Sequence, residues 1–508
     1  MKILLELRPA LDGHAGIPQE VRLLFRGLAK LDGVDVEGLL QSSARLLAPG
    51  LPADRRRVLA DHRRVDRLSK VVVSLQHNPP RTRAGSWLQT LRHAAVPASL
   101  LGRAAIGRPM PLGRFEPAGF EDFVWRSLFA RTLPPQDFGA MTTARLRVAS
   151  VPWSGLHALG VATSRFGRAF YPRLDTTGID VMIAETPYPG RVSRGTRMVV
   201  RYHDAIPLLM PHTIAERTHH QASHHEALLR NVRDGAWFAC VSEATRRDLL
   251  SVHPQAAERA VTIHNMVSHH YFPETTDAAR VAEVLRTRRN ARFDDARVAR
   301  SPRGDAPPRY LLMVSTIEPR KNHLALLSAW EALRLEDPGM QLVLVGSIGW
   351  ESQAIVRRLE PWQRRGGVHL LEDVPAPELR LLYRHAALTV CPSLYEGFDF
   401  AGVEAMRCGG VVLASDIPVH REVYGEACGY FDPYCVESLT RAVRALLAPD
   451  AHAARERLVV DGEAVSARYL PERILPQWRA FLERITAAAP QARRTQPALR
   501  TGVAQVPR

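Results

Sequence analysis

Two successive series of short apolar runs, each run followed by a stretch of helical periodicity, organise this chain. The first series is KILLEL, VDVEGLL, VVVSL, DVMIAE, MVVRYHD, WFACVS and AVTIHN; the second is YLLMVS, QLVLVG, VHLLEDV, LTVCPS, VVLASDI and CGYFD. Runs this short and this apolar suit strands buried on both faces, and strands that alternate with helices pair in parallel. The prediction is an α/β chain with two doubly wound, Rossmann-like sheets. A polar, proline-bearing segment, RTRRNARFDDARVARSPRGDAPPR (residues 286–309), lies between the two series and reads as a linker. The expected bodies are therefore residues 1–285 and 310–470. A helix at 471–487 is expected to pack back on the first body. Residues 488–508 hold no acid and no apolar period and read as a disordered basic tail.

Residues 50–175 disturb the alternation, because Arg, Pro and Gly are too frequent for clean periodicity. We read them as a helical insertion of the first body. Their arginine-bearing apolar segments suit either ordinary packing or a membrane interface.

With 508 residues the chain can bury several cores without disulfide support. Its five cysteines form no CxxC pair and no zinc-like spacing, so buried, reduced thiols and a reducing compartment are expected. The net charge of +16 suits a phosphate-rich partner, an anionic membrane surface, or simply an arginine-rich composition. The arginines are scattered and no nucleic-acid-binding motif accompanies them, so nucleic acid is not expected as a partner. No apolar stretch reaches the ~18 residues a membrane span needs. MKILLELRPALDG is broken by Glu6, Arg8 and Asp12 and does not read as a signal peptide. The expected location is cytoplasmic, with peripheral contact at the inner face of the membrane as a further expectation.

Two loops of the second series concentrate chemistry. In YLLMVSTIEPRKNH, a strand ends and Arg320 and Lys321 follow at once. Ligands of such sheets bind at the carboxyl ends of strands, beside helix N-termini that favour anions. Two cations there suit a diphosphate, with Pro319 stiffening the loop. In LTVCPSLYEGFDFAGVEAMRCGG, Glu396 precedes Glu404 by eight positions across a loop-to-helix junction. A helix beginning near Ala401 places Glu396 in the loop and Glu404 in the first turn, both toward one crevice. Ionised carboxylates only accept hydrogen bonds, which suits sugar hydroxyls, and Gly397 lets backbone approach a ligand closely.

The succession EPRKN, LVGSIGW, DVPAPEL and LYEGF…VEAM…GG over about residues 310–435 resembles the donor domain of GT-B retaining glycosyltransferases of family 4, also called group 1. The wording resembles that of bacterial mannosyltransferases of surface polysaccharides. The resemblance implies a GT-B fold, with the active site between the two bodies. It implies that Arg320 and Lys321 hold the donor diphosphate, Glu396 the sugar hydroxyls and Glu404 the nucleotide ribose. Gly397, Phe398, Asp399 and Phe400 would belong to the donor loop, with Val374 and Pro375 against the base. The family usually carries EGFGLP where this chain has EGFDFA, so Asp399 and Ala401 depart from it. An aspartate there is expected to take a turn conformation.

The first series matches the family more loosely. The glycine-bearing loop Gly13 to Gly16 would close over phosphate and acceptor, and His203 in YHDAIP would lie near the reacting sugar. Asp204 is expected to orient the His203 imidazole. Ser242 reads as a helix cap ahead of Glu243, and Asn265 as structural. His220 and His224 in THHQASHHE have the spacing to share an ion, but lack an acidic or cysteine partner, so a polar helix face is the preferred reading. No metal or cofactor is expected, the nucleotide sugar being a substrate. The resemblance implies transfer of a hexosyl group, mannosyl from GDP-mannose first and UDP- or dTDP-hexose next, to a glycan or lipid-linked glycan. A non-catalytic scaffold of the same fold and a basic nucleic-acid-binding protein are the rivals from other classes; intact Arg320, Lys321, Glu396 and Glu404 argue against the first, and the basic charge alone supports the second.

Overall fold

With one exception, the apolar runs become strands. The computed structural model describes residues 1–11, 13, 16–54, 59–76, 98–103, 106–214, 216–288 and 307–487. The first sheet contains β1 (Lys2–Glu6), β2 (Asp35–Leu40), β3 (Gly113–Phe115), β4 (Arg145–Val148), β5 (Val181–Ala184), β6 (Arg197–Tyr202), β7 (Trp237–Cys240) and β8 (Ala260–Thr262). The second contains β9 (Tyr310–Val314), β10 (Gln341–Val345), β11 (Val368–Leu371), β12 (Leu388–Cys391), β13 (Val412–Ser415) and β14 (Gly429–Phe431). The orders are 3-4-2-1-5-6-7-8 and 11-10-9-12-13-14. Every pairing is parallel except β3 with β4. Each order has a switch point, between β1 and β5 and between β9 and β12, where such sheets leave a crevice.

The helices used below are α1 (Ile17–Ala29), α2 (Asp61–Leu75), α3 (Trp153–Ser164), α4 (Arg217–Arg233), α5 (Glu243–Val252), α6 (Arg280–Thr287), α7 (His323–Arg334), α8 (Ala376–His385), α9 (Phe400–Arg407), α10 (Pro418–Tyr424) and α11 (Pro471–Ala487). Among the described residues no helix is long and apolar enough to cross a membrane.

Three expectations are corrected. VVVSL is the last part of α2, not a strand. Leu68, Val71 and Leu75 are buried at helical spacing while Val65 and Val73 are exposed, so the period of the whole segment overrides a local β-branched run. Residues 50–175 are not simply a helical insertion, because they supply the edge strands β3 and β4. In β4 buried Leu146 and Val148 alternate with arginines, and Arg147 pairs with Glu37 of β2 at 2.6 Å. Residues 55–58, 77–97 and 104–105 of that region lie outside the described residues.

The third correction concerns where the chain passes between bodies. Met266 still packs in the first core, but Val267, Tyr271, Val281, Val284 and Leu285 pack in the second, with Tyr310 and Leu312 of β9. The passage therefore lies near residue 266, ahead of the polar segment at 286–309. Helix α6 docks on the second body, where Arg288 forms a two-pronged ion pair with Glu378 at 2.6 and 2.7 Å. Of the expected linker, 289–306 lie outside the described residues, as does the tail at 488–508. The return passage lies beside the first: the Val267 amide donates to the Tyr469 carbonyl at 2.8 Å. After it, α11 buries Ile474, Trp478, Phe481, Leu482 and Ile485 in the first core. The last helix thus completes the first body after the second has been built.

Candidate active site

Strand ends at both switch points supply the candidate residues, and the two ends face each other. In the second body the loop after β9 presents Arg320 and Lys321, and the loop after β12 presents Glu396. Lys321 Nζ donates to Glu396 Oε1, and Arg320 Nη1 donates to Glu396 Oε2 at 2.9 Å. Arg320 Nη2 also pairs with the buried Glu318 at 2.7 Å. Burial alone would raise the Glu396 carboxyl, but Arg320 and Lys321 hold it below the usual carboxylate range. Glu318, expected to shape the loop, is an ion partner of Arg320, and burial raises its carboxyl. Asn322 adopts φ 63°, a left-handed turn that asparagine tolerates, and anchors the loop by donating from Nδ2 to the Pro433 carbonyl at 2.9 Å.

Glu404 lies in the second turn of α9, one turn later than expected, because the helix begins at Phe400. Its Oε1 accepts from Gln19 Nε2 of the first body at 2.9 Å, and its Oε2 accepts from the Tyr383 hydroxyl at 3.1 Å. Burial pushes its carboxyl up to about 7, against the lowering effect of those donors. A buried acid raised from 4.5 to about 7 contributes stability below pH 4.5 and loses it as pH rises through 7. The gap corresponds to about 3 kcal/mol. Glu404→Gln should therefore flatten the fall in melting temperature between pH 5 and pH 8. Parallel profiles for variant and wild type would show that Glu404 does not titrate in this range.

Asp399 does not take a left-handed turn. Its φ is −102° and its side chain caps α9, accepting from the Ala401 amide at 3.0 Å. Burial would raise this carboxyl, but His420, 3.4 Å away, and Lys321 hold it low. The Phe398 ring packs on Phe400 and Tyr469, with centroids 5.2 and 5.3 Å apart, so its backbone is what remains for a ligand. Pro375 is the residue before α8, and Val374 packs against the second core. Gly397 makes a close approach of another kind than expected: a Cβ there would lie 1.7 Å from the His203 carbonyl oxygen. The glycine brings the two bodies together.

In the first body, His203 follows β6. Its Nε2 lies 3.2 Å from Glu185 Oε2, beyond the end of β5. Asp204 instead accepts from the Ile206 amide at 3.0 Å, so the residue that orients the imidazole is Glu185 and not Asp204. Burial lowers the His203 imidazole to about 4 and raises the Glu185 carboxyl to about 8. Gly16 precedes α1 with φ 69°, a left-handed conformation that glycine adopts without strain. The Gly13 carbonyl accepts from the buried Arg22 at 3.0 Å; residues 14 and 15 lie outside the described residues. Ser242 caps α5, accepting from the Thr245 amide at 3.0 Å. Asn265 accepts from Arg201 at 2.7 Å in the interior, a structural role. His224 of α4 lies against Tyr202, and burial lowers it to about 3.

Further contacts span the cleft. Glu422 of α10 accepts from the Glu243 and Ala244 amides at the start of α5, at 2.6 and 2.8 Å, and from His264 at 2.8 Å. Tyr395 donates to Asp248, and Trp350 Nε1 donates to the Thr213 carbonyl at 2.9 Å. The motifs alone did not reveal Glu185, Gln19 or Glu422. Glu185 had a signal, being the polar residue that closes the apolar run DVMIAE. Gln19 and Glu422 had none.

Residues 297–461 match the family model described as Glycosyl transferases group 1. The second body is thus similar to group 1 glycosyl transferases. Arg320, Lys321, Glu396 and Glu404 all lie in the matched stretch, and His203 and Gln19 reach it from the other body. Among curated relatives, the O-antigen chain mannosyltransferase B of Escherichia coli is 30% identical over 258 residues, 50% of this chain and 62% of its own length. The serotype-specific mannosyltransferase WbdA of Escherichia coli is 27% identical over 252 residues, 49% of this chain and 29% of its own length. The chain thus spans less than two thirds of the curated relatives it matches. Among solved structures, a sucrose-phosphate synthase from Thermosynechococcus elongatus superposes with TM-score 0.56 at 17% identity, over 96% of this chain and 100% of that one. That likeness concerns the fold, which is GT-B: two doubly wound bodies facing across a cleft.

Proposed function

We propose that this chain is a retaining hexosyltransferase that moves mannose from GDP-mannose to a glycan or lipid-linked glycan during surface polysaccharide synthesis. The observation that carries the reading is the convergence of Arg320 and Lys321 on Glu396 at the switch point of the second body. A departing nucleoside diphosphate accumulates negative charge, and two cations already held in place stabilise it without reorganisation. Glu396 accepts from the sugar hydroxyls, and Glu404, beside Tyr383 and Gln19, takes the ribose. His203 contacts the sugar from the first body. The leaving phosphate assists deprotonation of the acceptor on the same face, so configuration is retained. The names of the two mannosyltransferase relatives support mannose over other hexoses. The net charge of +16 suits an acceptor held at an anionic membrane face.

A panel of nucleotide sugars, each scored for protection against thermal unfolding, tests the donor. A ligand at one hundred times its Kd stabilises the folded state by about 2.7 kcal/mol. GDP-mannose and GDP should protect. Protection by UDP or dTDP species alone would reassign the donor, and protection by none would sink the transferase reading.

A further inference from the structure

Among the described residues Glu185 forms no ion pair with an arginine or lysine. Three carboxylates and two arginines meet behind His203. Arg8, from the turn after β1, pairs with Glu6 at 2.7 Å, and Arg201 of β6 pairs with Glu20 of α1 at 2.9 Å. Glu6 Oε2 also accepts from the Glu185 amide at 2.9 Å, placing a second carboxylate beside it. Asp204, next to His203, is engaged in capping the helical turn at Ile206. The Glu185 side chain is fully buried; Oε2 faces His203 Nε2 and Oε1 has no hydrogen-bond partner. An ionised carboxylate with one orphaned oxygen in such a place is costly, whereas a carboxylic acid leaves only a carbonyl-like oxygen unpaired.

We propose that Glu185 is a positioning residue that fixes the tautomer of His203: it holds a proton, donates it in a hydrogen bond to Nε2, and so leaves the imidazole proton on Nδ1. The geometry makes the two ring nitrogens unequal. Nε2 is taken by Glu185, while Nδ1 has no hydrogen-bond partner among the described residues and is not among the buried orphaned atoms. Nδ1–H is then the group His203 offers to the cleft, a donor suited to a sugar oxygen. This rests on the transferase reading for the identity of what Nδ1 meets, but not for the tautomer itself. Burial raises the Glu185 carboxyl to about 8, so the acid form persists at neutral pH. Above pH 8 the acid ionises, Nε2 must carry the proton, and Nδ1 becomes an acceptor.

Two-bond proton–nitrogen correlation spectra of the full chain test this, with His203 assigned by the signal that His203→Gln removes. The wild type should show the Nδ1–H form at pH 7 and the Nε2–H form above pH 8. Glu185→Gln keeps a donor opposite Nε2, so it should hold the Nδ1–H form at both pH values and retain turnover within about threefold. Glu185→Leu should lose the fixed tautomer and at least about tenfold in kcat, with KM little changed. An Nε2–H or doubly protonated His203 at pH 7 in the wild type would overturn the proposal. So would an unchanged tautomer in Glu185→Leu. Because the spectra need no substrate, a correct tautomer without transferase turnover would count against the proposed function and leave the role of Glu185 standing.

Discussion

Replacing Lys321 with alanine should lower kcat by about 100- to 1,000-fold while the protein keeps its fold and its thermal stability. The two cations are not equivalent. Among the described residues Lys321 forms its ion pair with Glu396, and when it is removed Arg320 still pairs with that carboxylate at 2.9 Å while His420 remains beside Asp399. No buried charge is left without a partner. Arg320 is different: it holds Glu396, Glu318 and the Tyr395 carbonyl at once. Arg320→Ala would strand Glu318 in the interior, and removing one partner of a buried pair costs about 3–5 kcal/mol. Its loss of activity would be mixed with unfolding. Lys321→Ala isolates the chemistry. Steady-state kinetics with GDP-mannose, alongside a melting curve, would check it. Wild-type kcat in the variant would remove Lys321 from charge stabilisation of the leaving diphosphate.

Gly397→Ala should be nearly as damaging for a mechanical reason. The added Cβ would lie 1.7 Å from the His203 carbonyl oxygen and 2.9 Å from its carbon, and backbone atoms cannot rotate away. The two bodies would have to move apart at the place where His203 meets the loop after β12. A displacement of about 1 Å at reacting groups costs on the order of 100-fold in rate, and kcat/KM should fall by at least that. Each body should keep its own core, so circular dichroism should be unchanged while small-angle scattering reports a larger radius of gyration. Gly195→Ala is the control, because a Cβ there meets nothing within 4 Å. Full activity in Gly397→Ala would mean that catalysis does not need the approach of His203 to Gly397.

Much of the cluster of cations and carboxylates in the second body was legible in the sequence. Arg320, Lys321 and Glu396 lie in loops that directly follow apolar runs, and in a parallel sheet the loop after a strand is where a ligand crevice opens. Glu404 could be placed on the following helix, although its turn was misjudged by one because Phe400 and not Ala401 begins α9. The Asp399 departure was legible as a change but not as a cap, since capping depends on where the helix starts. VVVSL shows the limit of a local signal: three valines and a leucine around Ser74 look like a strand until the helical period of Leu68, Val71 and Leu75 finds a core to face.

By itself the sequence determined two parallel sheets and the cations and carboxylates at their strand ends, because periodicity and strand–loop order are properties of neighbouring residues. Only the tertiary structure decided which side chains meet. Glu185 reaches His203 from another strand, Gln19 reaches Glu404 across 385 positions, and Glu422 caps a helix 179 positions away. The passage between bodies near residue 266 and the return at Tyr469 were likewise decided by which core each side chain could enter. Burial and hydrogen-bond partnership depend on the packing of distant segments, and no spacing within one segment carries that information.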